Sequence, residues 1–370
     1  MKKNQAQTSK ACLAVVADCH IANYTHHAGA EVGGINERGL MSLAALRESI
    51  RRAVASGATM FMVAGDLFNK RKPEPAIIAA VARVLEAETK DLPVVIVPGN
   101  HDMVDVLATA GNTACEPLYA QATVIREPEW FDVKGTDLNV LCVPFQGEVP
   151  MEQYLRELLP KHAKKSQRNV LIAHVGVYDG ADPDWMKSDP TAIHQQLFSE
   201  MLQDNFFEAA FVGHYHHGKS WGKPNDMIKE PIIVQVGTLC PSSHSDAGVF
   251  PEVGTLLTYA DPPGEFDRIE INGPRFTSLN SAEEIKSLAS AEGMRYFVRL
   301  PASEVLVSAE SIQGIEVEAV ADVEEKPTAI TDQVESPEEA IIAYARKMNL
   351  PEGVLTEAVI EEALRCWRTT

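Results

Sequence analysis

The sequence predicts an α/β fold built around a largely buried β-sheet. Between residue 11 and about residue 260, short apolar runs alternate with amphipathic segments, which is typical of strands and helices that pack in layers. Hydrophobic residues make up 45% and charged residues 23% of the 370 residues. This composition is ordinary for a globular protein, and the length allows two or three domains. No apolar run approaches the roughly 18–20 residues that cross a bilayer, so we expect no membrane association.

Seven apolar runs are predicted as strands: "CLAVVA", "TMFMVA", "PVVIVP", "LNVLCV", "NVLIA", "AAFV" and "PIIVQV". Three segments between them are predicted as helices, because apolar residues recur three and four positions apart: "LMSLAALRESIRRAVASG", "PEPAIIAAVARVLEAETK" and "TAIHQQLFSEMLQDNFF". A glycine ends the first segment and prolines open the second, and both are common helix limits.

The chain after residue 260 predicts smaller units. The turn-rich stretch "YADPPGEFD" marks the end of a first domain, residues 1–262. The runs "RIEI", "SAEEIKSLASAEG" and "RYFVRL" then predict a small α+β unit over residues 263–303, which could extend to about residue 320. Residues 304–335 are predicted as an acidic linker, with a short edge strand as the alternative. Residues 336–370 predict two amphipathic helices, 336–348 and 353–367, separated at Leu350-Pro351.

The N-terminal segment and the cysteines both indicate a cytoplasmic protein. The apolar run "ACLAVVA" is short, follows a polar stretch and is followed at once by Asp18, so we interpret it as a first strand, not a secretion signal. The six cysteines are scattered and form no CxxC pair. We therefore expect reduced thiols, and neither a zinc knuckle nor a disulfide framework.

The acidic charge is unevenly distributed along the chain. The net charge is −19, yet the segment from Glu304 to Glu339 contains eleven acidic residues and one lysine and so accounts for −10 of it. An acidic protein is a poor candidate for a passive nucleic-acid binder, which needs a basic surface. The charge does not exclude an enzyme that reaches phosphate groups through bound metal ions.

Polar side chains follow five of the predicted strands at their carboxyl ends, where α/β folds build their sites. The five clusters are Asp18-Cys19-His20, Gly65-Asp66, Gly99-Asn100-His101-Asp102, His174 and Gly213-His214-Tyr215-His216. Each cluster alone is more typical of a turn or a helix cap. Five in succession, all with metal-ligand chemistry, indicate a shared metal site.

The residue types indicate which metals this site would hold. The set Asp18, His20, Asp66, Asn100, His174, His214 and His216 offers oxygen and nitrogen ligands and no thiolate, which favours Mn²⁺, Fe or Zn²⁺ over Ca²⁺. Seven ligands suit two ions about 3.5–4 Å apart that share a carboxylate, bind a phosphate and activate a water for attack on phosphorus. We expect His101 to supply the leaving group's proton. Asp102 would orient His101 or raise its pKa, with a helix cap as the alternative.

The ordered motifs "DCH", "GDLFN", "GNHD", "AH" and "GHYH" resemble those of the calcineurin-like metallophosphoesterase superfamily over residues 11–245. The resemblance implies a two-sheet β-sandwich flanked by helices, with both metals at the strand ends. Carried over by motif, one ion would be held by Asp18, His20 and His216, and the other by Asn100, His174 and His214. Asp66 would bridge the two ions, and His101 would be the unligated acid.

Two longer segments, "GDLFNKRKPEP" and "VQVGTLCPSSHSD", resemble SbcD-type DNA double-strand-break repair nucleases, called meiotic recombination eleven in eukaryotes. The unit at residues 267–300 resembles their capping domain, which helps to position DNA. The chain departs from that pattern at Asn69, at Val236-Gly237-Thr238 and in the acidic run after residue 300. These departures concern the substrate and its path, since the metal ligands are intact.

The second resemblance implies a Mn²⁺-dependent 3′-to-5′ exonuclease with endonuclease activity that acts in DNA repair or recombination. It implies a homodimer and a coiled-coil ATPase partner similar to SbcC, bound through the helical tail. The alternative for the tail is packing on its own domain.

Two alternative functions remain: a small-molecule phosphoesterase (a nucleotidase or a cyclic-nucleotide phosphodiesterase) and a non-enzymatic scaffold. The intact ligand set argues against the scaffold. Lys70, Arg71 and Lys72 could contact a phosphate backbone or form a solvated loop.

Overall fold

The structure is a computed structural model. It describes residues 11–105, 112–164, 168–222, 230–246, 253–260, 265–288, 295–301, 315–320 and residue 360. The two predicted tail helices, except Ile360, and most of the predicted acidic linker lie outside the described residues. Ile360 is helical and buried.

The strands, in chain order, are β1 (Ala11–Val16), β2 (Glu31–Val32), β3 (Ile35–Asn36), β4 (Met60–Ala64), β5 (Val94–Val97), β6 (Thr123–Val124), β7 (Glu129–Asp132), β8 (Leu138–Val143), β9 (Arg168–His174), β10 (Gly176–Tyr178), β11 (Ala192–His194), β12 (Phe207–Gly213), β13 (Lys219–Trp221), β14 (Ile232–Gln235), β15 (Thr255–Ala260), β16 (Phe266–Glu270), β17 (Pro274–Ser278), β18 (Arg295–Pro301) and β19 (Ile315–Val320).

The α-helices are α1 (Glu37–Ser56), α2 (Pro75–Glu88), α3 (Met151–His162), α4 (Asp184–Lys187) and α5 (Gln195–Asp204). Short 3₁₀ turns cover Glu116–Leu118, His244–Asp246 and Ala282–Ser287. The seven predicted strands and three predicted helices all correspond to observed elements, although the start of the third predicted helix forms β11. None of the helices in the described ranges is long and apolar enough to cross a membrane.

Two six-stranded sheets form the body of the molecule. The first has the order β16-β15-β1-β4-β5-β6, and the second has the order β13-β14-β12-β9-β8-β7. The strands β1, β4, β5 and β6 run parallel in the first sheet, as do β8, β9, β12 and β14 in the second. Parallel strands align their carboxyl ends, so each sheet collects its strand-end loops at one edge.

The two sheets face each other as a sandwich, because alternate residues of each strand point to opposite faces. In β1, Leu13 and Val15 belong to the buried cluster that also contains Val140 and Phe211 of the second sheet. Val16 points the other way, into the cluster beneath α1 and α2. The α3 and α5 helices cover the outer face of the second sheet. The predicted two-sheet sandwich flanked by helices is confirmed.

Local sequence signals explain where α1 begins and ends. The Asn36 side chain accepts a hydrogen bond from the Gly39 amide and caps the N-terminus. Gly57 follows the last turn with φ 81°, the left-handed conformation that glycine adopts without strain. The five cysteines in the described ranges are free and buried.

The small unit after residue 265 differs from its prediction in two respects. The run "RIEI" forms most of β16, which pairs antiparallel with β15 and completes the first sheet, so the predicted limit at residue 262 separates two paired strands. Strand propensity identifies a strand but not its partner. The segment predicted as a helix forms only the 3₁₀ turn Ala282–Ser287. The strands β17, β18 and β19 form a separate three-stranded parallel sheet, and β19 lies in the predicted acidic linker.

Candidate metal centre

The polar clusters that follow β1, β4, β5, β9 and β12 meet at one end of the sandwich. The loops after β1 and β4 are bonded to each other, since the Asp18 amide donates to the Gly65 carbonyl and the His20 amide to the Asp66 carbonyl, both at 3.0 Å. The second sheet reaches the same place: a Cβ added to Gly65 would lie 1.8 Å from His174 Nδ1. Only glycine leaves room for His174 here.

The first predicted ligand set lies together. The ligand atoms of Asp18, His20 and His216 all lie within 4.8 Å of one another. The Nε2 atoms of His20 and His216 are 2.9 Å apart, and His20 Nε2 is 4.0 Å from Asp18 Oδ1. Two imidazole nitrogens and a carboxylate oxygen therefore converge on one point, as ligands of a shared cation would.

The second predicted ligand set also lies together. Asn100 Oδ1 is 3.0 Å from His174 Nε2 and 3.1 Å from His214 Nδ1. His174 is oriented from behind, because its Nδ1 lies 3.1 Å from the Ala64 carbonyl and donates to it. This leaves Nε2 unprotonated in the neutral ring and available to a metal ion.

Asp66 lies between the two ligand sets. Its Oδ2 is 3.4 Å from His174 Nε2 and 3.9 Å from His20 Nε2, so the same oxygen faces a histidine of each set. Its Oδ1 accepts a hydrogen bond from the His101 amide at 2.8 Å. A Cβ added to Gly99 would lie 2.2 Å from Asp66 Oδ1, so glycine is required there for the close approach.

Among the residues described, the negative charges of the centre are opposed by histidines alone. Asp18 and Asp66 are buried, and no lysine or arginine of the described ranges pairs with either carboxylate. Burial raises the pKa of Asp18 above its ordinary value, although His174 and His216 oppose the shift. Burial lowers the pKa of His20 to about 3. Buried carboxylates are costly unless they are paired or bind a metal, so this donor set fits divalent cations.

The backbone at the centre is strained. Asp18, His20 and Asp66 have φ values of 49°, 45° and 49°, and His214 has φ 111°. These four predicted ligands are two thirds of the six non-glycine residues with positive φ in the described chain. Such conformations cost of order 1–3 kcal/mol each and occur mainly at functional sites. The strain independently identifies this strand-end cluster as the functional site.

His101 lies at the edge of the centre. Its ring is perpendicular to that of His20, with the centroids 5.0 Å apart. Its Nδ1 lies 2.9 Å from the Asn69 carbonyl oxygen, which can only accept, so Nδ1 carries a proton and donates it. This hydrogen bond fixes the ring and leaves Nε2 as the nitrogen that can exchange a proton with a bound molecule.

The predicted role of Asp102 differs from its position in the structure. Its carboxylate is buried and accepts hydrogen bonds from the amides of Gly99, Leu67 and Phe68 at 3.0, 3.1 and 2.9 Å. Its oxygens are occupied by these amides, and His101 is oriented by the Asn69 carbonyl instead. Asp102 is therefore a structural residue that ties the loop after β5 to the loop after β4, which is closer to the capping alternative.

Sequence reasoning missed the groups that orient two of the histidines. His216 Nδ1 lies 2.7 Å from Asp246 Oδ1, and His214 Nε2 lies 3.2 Å from Asp189 Oδ2. Burial opposes protonation of His216, but the bonded Asp246 and the nearby Asp18 together raise its pKa. Asp246 ends the quoted segment "VQVGTLCPSSHSD" and could have been selected there, whereas no motif identifies Asp189.

The basic loop after Asp66 is partly engaged within the chain. Lys70 forms an ion pair with Glu74 at 2.7 Å, and the Arg71 guanidinium donates to the Asp105 carbonyl. Lys72 is exposed. Of the three basic residues considered for phosphate contact, Lys72 is the one for which the described part of the chain gives no partner.

Comparisons with known proteins find only distant matches among those reported below. No curated protein matches the chain in sequence. Similar solved structures include a dimetal phosphatase from Danio rerio (12% identity, TM-score 0.40, 71% of this chain and 100% of that chain) and a protein from Thermus thermophilus (15%, 0.43, 71% and 99%). A purple acid phosphatase from yellow lupin (Lupinus luteus) seeds is 13% identical with a TM-score of 0.38, covering 61% of this chain and 43% of that chain.

The family comparison identifies the family. The sequence model described as "Calcineurin-like phosphoesterase" matches residues 13–218, more than half of the chain. This range begins in β1 and ends just after His216, so it contains the strand ends that build the centre. The chain belongs to the calcineurin-like phosphoesterase family of metal-dependent hydrolases.

Proposed function

We propose that the protein is a two-metal nuclease that hydrolyses DNA phosphodiester bonds, as a 3′-to-5′ exonuclease with endonuclease activity. One ion would be held by Asp18, His20 and His216. The other ion would be held by Asn100, His174 and His214, and Asp66 would bind both ions. When bound, two such ions neutralise phosphate charge and activate water. Mn²⁺ suits the mixed oxygen and nitrogen donors, and Mg²⁺, Fe and Zn²⁺ are the alternatives for the test.

His101 would supply the proton that the leaving alkoxide needs. Its Nδ1 is committed to the Asn69 carbonyl, so only Nε2 can face the substrate. General acids of this kind contribute typically about 10²–10⁴-fold to a rate. A DNA ester has a poor leaving group and depends on that proton, whereas an activated aryl ester does not.

The observation that carries the nuclease proposal is a contact beside the metal centre. The sheet β17-β18-β19 packs on the two loops that follow β1 and β14. His27 Nδ1 lies 2.6 Å from Glu316 Oε1, and His244 Nε2 donates to the Phe297 carbonyl at 3.0 Å. We call this region, formed by His26, His27, His244, Arg295, Phe297, Arg299, Glu316 and Glu318, the cap contact.

The cap contact is connected directly to a proposed ligand. His244 lies in the same short turn as Asp246, whose carboxylate is bonded to His216. A folded unit fixed at the border of the site offers a surface along which an extended polymer could lie. This position supports DNA as the substrate.

The proposal includes two kinds of protein partner. A groove of about 370 Å³, lined by residues such as Val32, Leu40 and Leu43, lies between α1, α2 and the β2-β3 hairpin. Val32 and Val54 are 66% and 53% exposed, so α1 and the hairpin together offer an apolar surface to a second copy of the chain.

The tail helices, outside the described residues, would bind a coiled-coil ATPase similar to SbcC. We also propose a cytoplasmic location.

The test compares three substrates with Mn²⁺ present: linear duplex DNA, single-stranded DNA and bis(p-nitrophenyl) phosphate. Wild-type protein should degrade DNA, and His101→Asn should lose about 10²–10⁴-fold on DNA but much less on the activated ester. The matched control is Tyr119→Ala, an exposed side chain that follows the 3₁₀ turn Glu116–Leu118 and whose hydroxyl donates to the Val124 carbonyl of β6.

Hydrolysis of the small ester without any DNA degradation, also with the ATPase partner present, would contradict the nuclease proposal and favour the small-molecule phosphoesterase. Inactivity on every phosphoester with each of the four metals would favour the scaffold. A homodimer should be visible in sedimentation, and Val54→Glu should shift it to the monomer.

A further inference from the structure

We propose that Trp185 is a stacking platform that binds an unpaired nucleobase of the substrate beside the metal centre. The inference rests on the proposed function, because it assumes that a polynucleotide reaches the site. It goes beyond the proposed function because it names the part of the polynucleotide that Trp185 would bind, namely an unpaired base. Trp185 lies in α4, within the segment that connects β10 to β11.

The indole of Trp185 is exposed to an unusual degree. The residue is 62% exposed, although tryptophan is highly buried on average in folded proteins. An exposed ring of this size forgoes a large hydrophobic stabilisation. Tryptophan is also among the residue types most enriched in side chains that dominate binding surfaces. Exposure alone does not identify a ligand, so the position of the ring decides what it could bind.

Trp185 is held in place by Tyr215. The two rings meet edge to face, with centroids 5.7 Å apart and planes at 81°. The Tyr215 hydroxyl lies 3.3 Å from the Met186 carbonyl oxygen and 3.2 Å from Asp189 Oδ2, so it can donate to either of two acceptors in the chain that follows Trp185. The indole is therefore oriented before a ligand arrives, which lowers the entropic cost of binding.

The same segment is bonded to a proposed metal ligand. Asp189 Oδ2 and Thr191 Oγ1 lie 3.2 and 2.8 Å from His214 Nε2. Tyr215 follows His214 directly, and their ring centroids are 5.1 Å apart. The Tyr215 ring therefore contacts both the indole and the His214 imidazole, so the indole lies one aromatic ring away from this proposed ligand.

A nucleobase fits this position better than a protein side chain. A phosphodiester bound by the metal centre brings its own bases to the border of the site, whereas a protein partner would have to approach the same border independently. Every base has an aromatic face, so an indole can stack on any of them, and such stacking is a common device of single-strand binding. Asp184 and Lys187, beside Trp185 in the chain, form an ion pair at 3.0 Å, and Lys219 pairs with Asp179 and Asp182 of the same segment. The segment keeps a net negative charge, so the indole would contact the base and not the phosphate.

The test measures binding to the full chain with Ca²⁺ in place of Mn²⁺. The two probes are a single-stranded thymidine oligonucleotide and the same backbone with abasic residues. Trp185→Ala should weaken binding of the thymidine strand by about 5- to 100-fold and leave the abasic strand unchanged. Trp185→Phe should retain part of the difference, and Tyr119→Ala, the other exposed aromatic control, should behave as wild type.

Fluorescence separates this inference from the nuclease proposal. The chain has four tryptophans, and the thymidine strand should quench wild-type emission by an amount that Trp185→Phe loses. Quenching without DNA hydrolysis would support stacking and contradict the nuclease. DNA hydrolysis with wild-type binding of both strands by Trp185→Ala would overturn stacking and leave the nuclease standing. Equal weakening of both strands would also overturn stacking, because the base would then contribute nothing to the contact.

Discussion

The metal centre and the cap contact both place histidines beside carboxylates, but they balance the negative charge differently. In the cap contact the ligand atoms of His26, His27 and Glu318 lie within 4.8 Å of one another, as those of the centre do. Arg299 pairs with Glu318 and Arg295 with Glu316, both at 3.1 Å. The cap contact is therefore neutralised by the protein itself.

Among the residues described, only histidines oppose the negative charge of the metal centre, and no lysine or arginine pairs with its carboxylates. Asp18 and Asp66 are buried deeper than either glutamate of the cap contact, and their neighbours are histidines and backbone amides. The comparison teaches that residue type alone does not identify a metal site. Burial of carboxylates that pair with histidines but with no lysine or arginine, together with backbone strain, distinguishes the region that needs a cation from the one that does not.

The largest expected effect follows from removing the shared carboxylate. Asp66→Asn should lower kcat on any phosphoester by more than about 10³-fold. This loss is larger than the loss of about 10–100-fold that is typical when a residue bonded to a metal ligand, and not the ligand itself, is changed. The reason is that Asp66 Oδ2 faces both ligand sets. Initial rates at saturating Mn²⁺ measure the effect.

The matched control removes a carboxylate that the protein does compensate. Glu208 is paired with Arg168 at 2.5 Å, at the opposite end of the sheet strands. Glu208→Gln should keep its activity and lose only stability. Normal turnover by Asp66→Asn would contradict the assignment of a shared carboxylate.

The next largest effect concerns His101. Chelator treatment should inactivate both the wild type and His101→Asn. Before that treatment the two proteins should contain the same amount of metal, because the Nδ1 of His101 in the wild type bonds to the Asn69 carbonyl and not to a metal ligand. We expect kcat on DNA to fall by about 10²–10⁴-fold with little change in KM. A variant that loses an ion would show that His101 is a ligand and not the acid.

Asp246 and Asp189 divide the centre into two halves that can be tested separately. Asp246→Asn should weaken the ion held with His216, and Asp189→Asn the ion held with His214, each by about 10–100-fold in affinity. Calorimetric titration of metal-free protein should show one affinity lowered in each variant. Identical loss of both affinities in both variants would contradict the division.

The smallest effect is expected at the cap contact. Glu316→Gln removes the bonds to His27 and Arg295 at the border of the sheet β17-β18-β19. Half-exposed ion pairs contribute about 0–1 kcal/mol each to stability, so the free energy of unfolding should fall by no more than about 2 kcal/mol. Metal content should stay unchanged, and a drop in it would show that the two regions share an ion.

Much of the site could be predicted because it depends on strand ends. Residues such as Asp18, Asp66 and His174 follow strongly apolar runs, and parallel pairing brings such positions together whatever the loops do. The order of the five motifs then predicted the family. The two-sheet sandwich came from that resemblance, since periodicity alone indicates buried strands and not how sheets pack.

The remaining features depend on tertiary contacts that leave no local pattern. The run "RIEI" has the composition of a strand in either unit, and its pairing with β15 is decided by the whole sheet. Asp102 sits beside His101 in sequence, yet its carboxylate bonds to amides of the neighbouring loop. Asp189 is 25 residues from His214, so only the fold brings the two side chains together.

Metal stoichiometry tests the central claim most directly, namely that buried carboxylates without a lysine or arginine partner mark a site for two cations. Chelator-stripped protein is dialysed against Mn²⁺, and bound metal is measured by elemental analysis. We predict two ions per chain for wild type and for Glu318→Gln of the cap contact, and one or none for Asp66→Asn. Fewer than two ions in wild type, or two retained by Asp66→Asn, would contradict the account.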